Sequence, residues 1–159
     1  MSLPTVKLSE GIHVMHLFYR IDRMVWDELL PEEQSSTREK LEKLCRASNN
    51  PSHPLLRTYA NVGGKAEFAC CLFHEELSGL IQMHRNLESC FPSGVLEIVY
   101  SYLSITELTE YQPTEADLKA RAQREFRLEE GTPEYDAKIA ELTEWKADYE
   151  KFRLYPEMP

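Results

Sequence analysis

The chain has 159 residues, which suits one domain of ordinary size with an appendage. Its 42% hydrophobic and 28% charged residues are ordinary for a globular protein. A net charge of −9 and a pI near 5.1 oppose nucleic-acid binding and docking on anionic lipid, both of which draw on clustered cations. No apolar run approaches the length of a membrane span, and MSLPTVKLSEG lacks the basic-then-apolar pattern of a signal peptide. A cytoplasmic protein is expected.

Residues 12–21 (IHVMHLFYRI) are apolar and β-branched, which predicts a strand covered on both faces. Residues 23–48 then become helical. Trp26, Leu29 and Leu30 begin an apolar face, Pro31 interrupts it, and Leu41, Leu44 and Cys45 resume it, so a short helix followed by a longer one is expected. A loop at residues 49–54 leads to strands over residues 55–62 and 66–74, with Gly63-Gly64-Lys65 between them as a tight hairpin turn. Leu77, Leu80, Ile81, His84 and Leu87 form one stripe of a helix over residues 76–90. Residues 95–108 (VLEIVYSYLSITEL) read as a long last strand.

The order β-α-β-β-α-β is that of an α+β, ferredoxin-like split βαβ domain, with an antiparallel sheet and its helices on one face. The strands are apolar on both sides, so the other sheet face requires a partner, either a second such domain or a second chain. Two charged helices follow. Thr114 with Asp117 caps one, and Thr132-Pro133 starts the other, whose stripe is Tyr135, Ile139, Leu142 and Tyr149 with Trp145 beside it. The division expected is residues 1–108 for the sheet domain and 109–152 for the helical insertion. Residues 153–159 are an extended segment.

Little chemistry is specified by spacing. Cys45, Cys70, Cys71 and Cys90 form no C-x-x-C pair, and buried free thiols are favoured over a metal site or a reactive thiol. Cys70 and Cys71 adjoin in a strand, and His13 and His16 lie three apart in one, so each pair points to opposite faces. His84 falls on an apolar stripe and reads as a packing histidine. His53 and His74 complete a set with no metal spacing. Tyr111, just after the last strand, and Arg153, opening Arg-Leu-Tyr-Pro, stand out as a phenol and a guanidinium suited to a carboxylate.

Three segments in order resemble the chlorite dismutase-like family, in its coproheme decarboxylase branch. Tyr59-Ala60-Asn61-Val62-Gly63-Gly64-Lys65-Ala66-Glu67 is similar to the family's hairpin. Tyr100–Leu108 is similar to the last strand of its first domain, and Arg153-Leu154-Tyr155-Pro156-Glu157-Met158-Pro159 to the link into its second. Trp26 after the first strand also fits, and the resemblance covers essentially the whole chain.

The resemblance implies a subunit of two fused ferredoxin-like domains, assembled into a homo-oligomer. It implies oxidative decarboxylation of iron-coproporphyrin to heme b with hydrogen peroxide. It matches Tyr111 and Arg153 to positions that hold porphyrin propionates. The family's Tyr-Pro-Met-Ser-Lys motif and its proximal histidine match no residues in this sequence, so this chain corresponds to the N-terminal part, with no catalytic residue or metal ligand of its own. The segment after Tyr111 is longer and more helical than in many relatives. The alternatives are a stand-alone, non-catalytic dimeric αβ-barrel module and a chlorite-degrading member of the family.

Overall fold

The computed structural model of the chain describes residues 8–49 and 55–156. The residues before position 8, the loop residues 50–54 with His53, and residues 157–159 lie outside the described residues. The elements are β1 (His13–Ile21), α1 (Arg23–Glu28), α2 (Pro31–Ser48), β2 (Leu56–Ala60), β3 (Phe68–His74), α3 (Leu77–Glu88), β4 (Leu96–Ile105), α4 (Glu115–Arg124) and α5 (Pro133–Leu154). They fall into two compact units, one ending at Thr106 and one spanning Glu107–Pro156.

In the first unit the sheet order is β2-β3-β1-β4 with every pair antiparallel. This is the ferredoxin-like α+β arrangement read from the element order. Register explains why both helices lie on one face. Leu17 pairs with Cys70, Met15 with Leu72, Tyr19 with Phe68, and Leu56 with Leu72. Directly opposed residues share a face, and Leu17, Tyr19, Leu56, Cys70 and Leu72 cluster with Leu80 and Leu87 of α3. Leu41, Leu44 and Cys45 of α2 pack on the same cluster.

Local chemistry sets the helix boundaries. The Asp22 carboxylate accepts from the backbone N–H of Met24 and Val25 and so starts α1. Pro31 sits at the start of α2, where its missing donor costs nothing. The helix α3 approaches β3 closely because residue 79 is glycine. A Cβ there would collide with the His74 ring, whose Nδ1 accepts from the Glu76 N–H at 2.9 Å.

The β2–β3 connection is wider than a tight turn. Only Gly64 of the glycine pair has a positive φ, at 73°, and Asn61 closes the loop by donating from its backbone N to Glu67 O and from Nδ2 to Ala66 O. The last strand stops at Ile105, three residues early, after its neighbour Thr106 ties back to Ile12. Arg153 and Leu154 are not extended. They form the last turn of α5, because Pro156 falls late enough to leave that turn's hydrogen bonds intact.

The second unit is built on α4 and α5. Thr114 and Asp117 make a reciprocal capping box at the start of α4, and Thr132 Oγ1 accepts from the Tyr135 N–H at the start of α5. Leu118 and Ala122 of α4 and Tyr135, Leu142 and Leu154 of α5 are buried. Trp145 is half exposed, stacked on Tyr149 with centroids 5.7 Å apart and the Arg121 guanidinium 6.0 Å from its ring.

Candidate functional site

The sheet face away from the helices carries the most unusual chemistry of the first unit. Val14, His16 and Phe18 of β1 alternate onto it, opposite Phe73, Cys71 and Ala69 of β3 and Ser104, Tyr102 and Tyr100 of β4. Tyr100 and Tyr102 remain 61% and 44% exposed while Val14, Ala69 and Phe73 are buried, so this face is aromatic and open along β4. Phe18 and Tyr100 lie 5.9 Å apart, and Tyr100 and Tyr102 5.8 Å. A bulge between Phe18 and Tyr19 shifts the β1–β4 register, and a cavity of about 410 Å³ opens there against Phe18, Asn61, Lys65 and Tyr100.

His16 is the centre of this face. Its ring stacks on Tyr102 with centroids 4.1 Å apart and planes 9° from parallel. Its Nε2 lies 2.9 Å from Ser104 Oγ, and its Nδ1 lies 3.4 Å from Cys71 Sγ. Ser104 Oγ in turn donates to the Val14 carbonyl at 3.4 Å. With the serine proton so placed, His16 Nε2–H donates to Ser104, and Nδ1 accepts from the Cys71 thiol. Burial pushes the imidazole below its ordinary value and the Cys71 thiol above its own, so both are neutral near pH 7.

The sequence-predicted opposition of His13 and His16 is borne out. His13 is buried, with Nδ1 against the Glu75 carbonyl at 3.1 Å. Cys70 likewise lies in the core while Cys71 faces His16. All four cysteines are free thiols, and burial pushes Cys70 up to about 12. What alternation did not reveal is that His16, Cys71 and Ser104 meet. They come from separate strands, and only register brings them together.

Tyr111 and Arg153 both lie in the second unit. Tyr111 is 91% exposed in the irregular segment before α4, and Arg153 is exposed on the last turn of α5. No hydrogen bond joins them, and Arg153 has no ion-pair partner among the described residues.

The surroundings of the histidines bear on whether any could ligate iron. His13 and His74 each commit a ring nitrogen to backbone, and His16 commits both to side chains. His84 Nε2 is buried 3.4 Å from Glu88 Oε1, in a geometry that makes no hydrogen bond. A second cavity, about 490 Å³, is bounded by Trp26, Leu41, Cys45, Tyr59, Phe68 and Phe91 and has no histidine in its wall. Among the described residues no group of three or more metal-ligating side chains converges. No histidine lines either cavity, so the described residues form no axial site for an iron porphyrin there.

No protein-family model and no curated protein sequence matches the chain. Solved structures do. A heme-binding protein from Thermus thermophilus superposes with a TM-score of 0.63 at 25% identity, covering 98% of this chain and 53% of its own. Chlorite dismutase from Candidatus Nitrospira defluvii, in an arginine-substituted mutant and in complex with imidazole, gives a TM-score of 0.52 at 13% identity. There 92% of this chain and 68% of the dismutase are covered. The chain thus spans about half the length of the Thermus protein, and its fold is that of chlorite dismutase-like proteins, α+β and ferredoxin-like.

Proposed function

We propose that this chain is the N-terminal part of a heme-dependent oxidoreductase of the coproheme decarboxylase type, which converts iron-coproporphyrin to heme b with hydrogen peroxide. The observation that carries this reading is the likeness to the Thermus heme-binding protein over 98% of the chain. The hairpin at 59–67, the strand at 100–108 and the Arg-Leu-Tyr-Pro segment at 153–156, which are similar to the decarboxylase branch, add to it. The 53% coverage of the Thermus protein fits a division of labour in which further chain supplies iron ligation. The free thiols fit a reducing, cytoplasmic compartment. No described helix is long and apolar enough to cross a membrane. The open aromatic sheet face suits the second ferredoxin-like domain or homo-oligomer that this reading requires.

Within this reading the chain's own part is to hold the porphyrin's carboxylates. Arg153 presents an exposed guanidinium with no ion-pair partner among the described residues, and its planar fork accommodates a propionate in two parallel hydrogen bonds. Tyr111 presents an exposed phenol that donates one more. No step at the iron is assigned to any residue here.

The test is a coproheme titration of the polypeptide expressed from its complete coding sequence, followed by hydrogen peroxide and chromatography of the porphyrin. Appearance of heme b is expected. Arg153→Ala is expected to weaken coproheme binding by roughly 10- to 100-fold, from a charge-assisted contact of about 1.5–3 kcal/mol. Stoichiometric binding with no loss of propionates under peroxide would exclude the decarboxylase reading.

A further inference from the structure

We propose that Cys71, His16 and Ser104 form a thiol–imidazole–hydroxyl relay that makes Cys71 the oxidation-sensitive thiol of this chain, reactive toward hydroperoxides. The constellation is that of an activated nucleophile: a thiol in hydrogen-bond reach of a base, and the base oriented by a third group. The separations are 3.4 Å from Cys71 Sγ to His16 Nδ1 and 2.9 Å from His16 Nε2 to Ser104 Oγ. Stacking on Tyr102 at 4.1 Å holds the ring in that orientation.

The relay distinguishes Cys71 from the other thiols. Cys70 is fully buried in the core, and Cys90 is buried with its Sγ donating to the Asn86 carbonyl at 3.3 Å. Cys45 is half buried like Cys71 but has no imidazole partner among the described residues. Among the described residues Cys71 alone combines partial exposure with a base. Its cross-strand neighbours are His16 on β1 and Arg57 on β2, with Tyr59 two residues along, and those of His16 are Cys71 and Tyr102. Arg57 turns its guanidinium toward Asn49 Oδ1 at 2.9 Å. No carboxylate stands opposite either member of the pair.

Hydroperoxides are the class whose reduction uses both halves of the relay. The Cys71 thiol gives its proton to His16 Nδ1, and Ser104 accepts from Nε2–H throughout. Sulfur attacks the near peroxide oxygen, an S–O bond forms and the O–O bond breaks. The imidazolium then returns the proton to the leaving oxygen. Sulfur is oxidised from thiol to sulfenic acid, and the hydroperoxide is reduced to an alcohol, or to water when it is hydrogen peroxide. An alkylating agent needs only the base. A hydroperoxide needs the base and then the acid, and a neutral imidazole beside a neutral thiol supplies the two in turn.

The experiment exposes the 159-residue chain to hydrogen peroxide, traps sulfenic acid with dimedone and quantifies each cysteine peptide by mass spectrometry. Cys71 is expected to label at least about tenfold faster than Cys45. Its rate should level off above the pH at which His16 loses its proton, rather than climb toward the titration of a lone thiol. His16→Asn is expected to slow Cys71 labelling by at least about tenfold and leave Cys45 unchanged. Ser104→Ala, a milder change on the edge strand, is expected to slow it severalfold and so keeps the test alive if His16→Asn does not fold. Labelling of Cys71 no faster than of Cys45 overturns the proposal, as does a Cys71 rate that rises without levelling. Because the decarboxylase reading places a second domain or copy on this face, the same labelling is run on the polypeptide expressed from its complete coding sequence. A Cys71 left unlabelled there overturns the proposal. Porphyrin binding does not enter the readout, so the two readings fail separately.

Discussion

Glu67 shows how one residue ties the hairpin to the rest of the sheet. Its Oε2 accepts from the Ile21 N–H at 2.5 Å, and its Oε1 takes the Arg23 guanidinium. These two contacts, the backbone donor first, hold its carboxyl below the usual carboxylate range. Between its folded value and its ordinary value of 4.5 the unfolded chain binds more protons than the folded one. The stability contributed by Glu67 is therefore present above 4.5 and is lost as pH falls through the folded value. Glu67→Gln is expected to lower the urea midpoint at neutral pH and to flatten its decline in acid, and a parallel acid limb in the variant would contradict this. His16 differs in sign of cost: its lowered value makes protonation below the ordinary 6.5 unfavourable to the fold. The proposed propionate contacts Tyr111 and Arg153 rest on resemblance along the chain, which order alone carries. The His16–Cys71–Ser104 contact was not, because strand spacing predicts which face a side chain takes but not its neighbour across the ladder.

At the scale of elements, periodicity served the helices well. The stripe of α3 is present, with Leu80 and Leu87 fully buried against the sheet. Leu80→Ala is expected to cost about 2–5 kcal/mol, read from chemical denaturation, because its neighbours in the cluster cannot collapse into the space. An unchanged midpoint would remove α3 from the core. Strand ends were less legible than helix ends. Thr114, Thr132 and Asp22 announce helix starts through side chains that bond the first N–H groups. A strand end is decided by where its partner stops, as at Ile105, and nothing local records that. The glycine pair at 63–64 suggested a tight turn. The loop is wider because Asn61 finds partners at both Gly63 and Ala66.

At the scale of the molecule, the chain divides after Thr106, where Ile12 and Thr106 exchange backbone and side-chain hydrogen bonds that close the end of the β1–β4 ladder. The core cluster contains only residues of the first unit. A polypeptide ending at Thr106 is therefore expected to keep a cooperative thermal transition and antiparallel-sheet circular dichroism. A non-cooperative melt would show that Glu107–Pro156 contributes to that core. The charge pattern agrees with the division: α4 carries the i,i+4 pairs Glu115–Lys119 and Arg121–Glu125 and α5 the pair Lys146–Glu150 on their outer faces. Such pairs keep a helix soluble without fixing a core.

The amino-acid sequence by itself determined the α+β class, the order of strands and helices, the helix starts and the sorting of His13 from His16 and Cys70 from Cys71 between faces. These follow from local propensity, capping chemistry and periodicity, which act over a few residues. Tertiary structure alone decided the sheet register and the meeting of His16 with Cys71 and Ser104. Both rest on contacts between residues up to 92 positions apart, as His13 and Ile105 are. Only the packed core fixes which strand positions lie opposite one another.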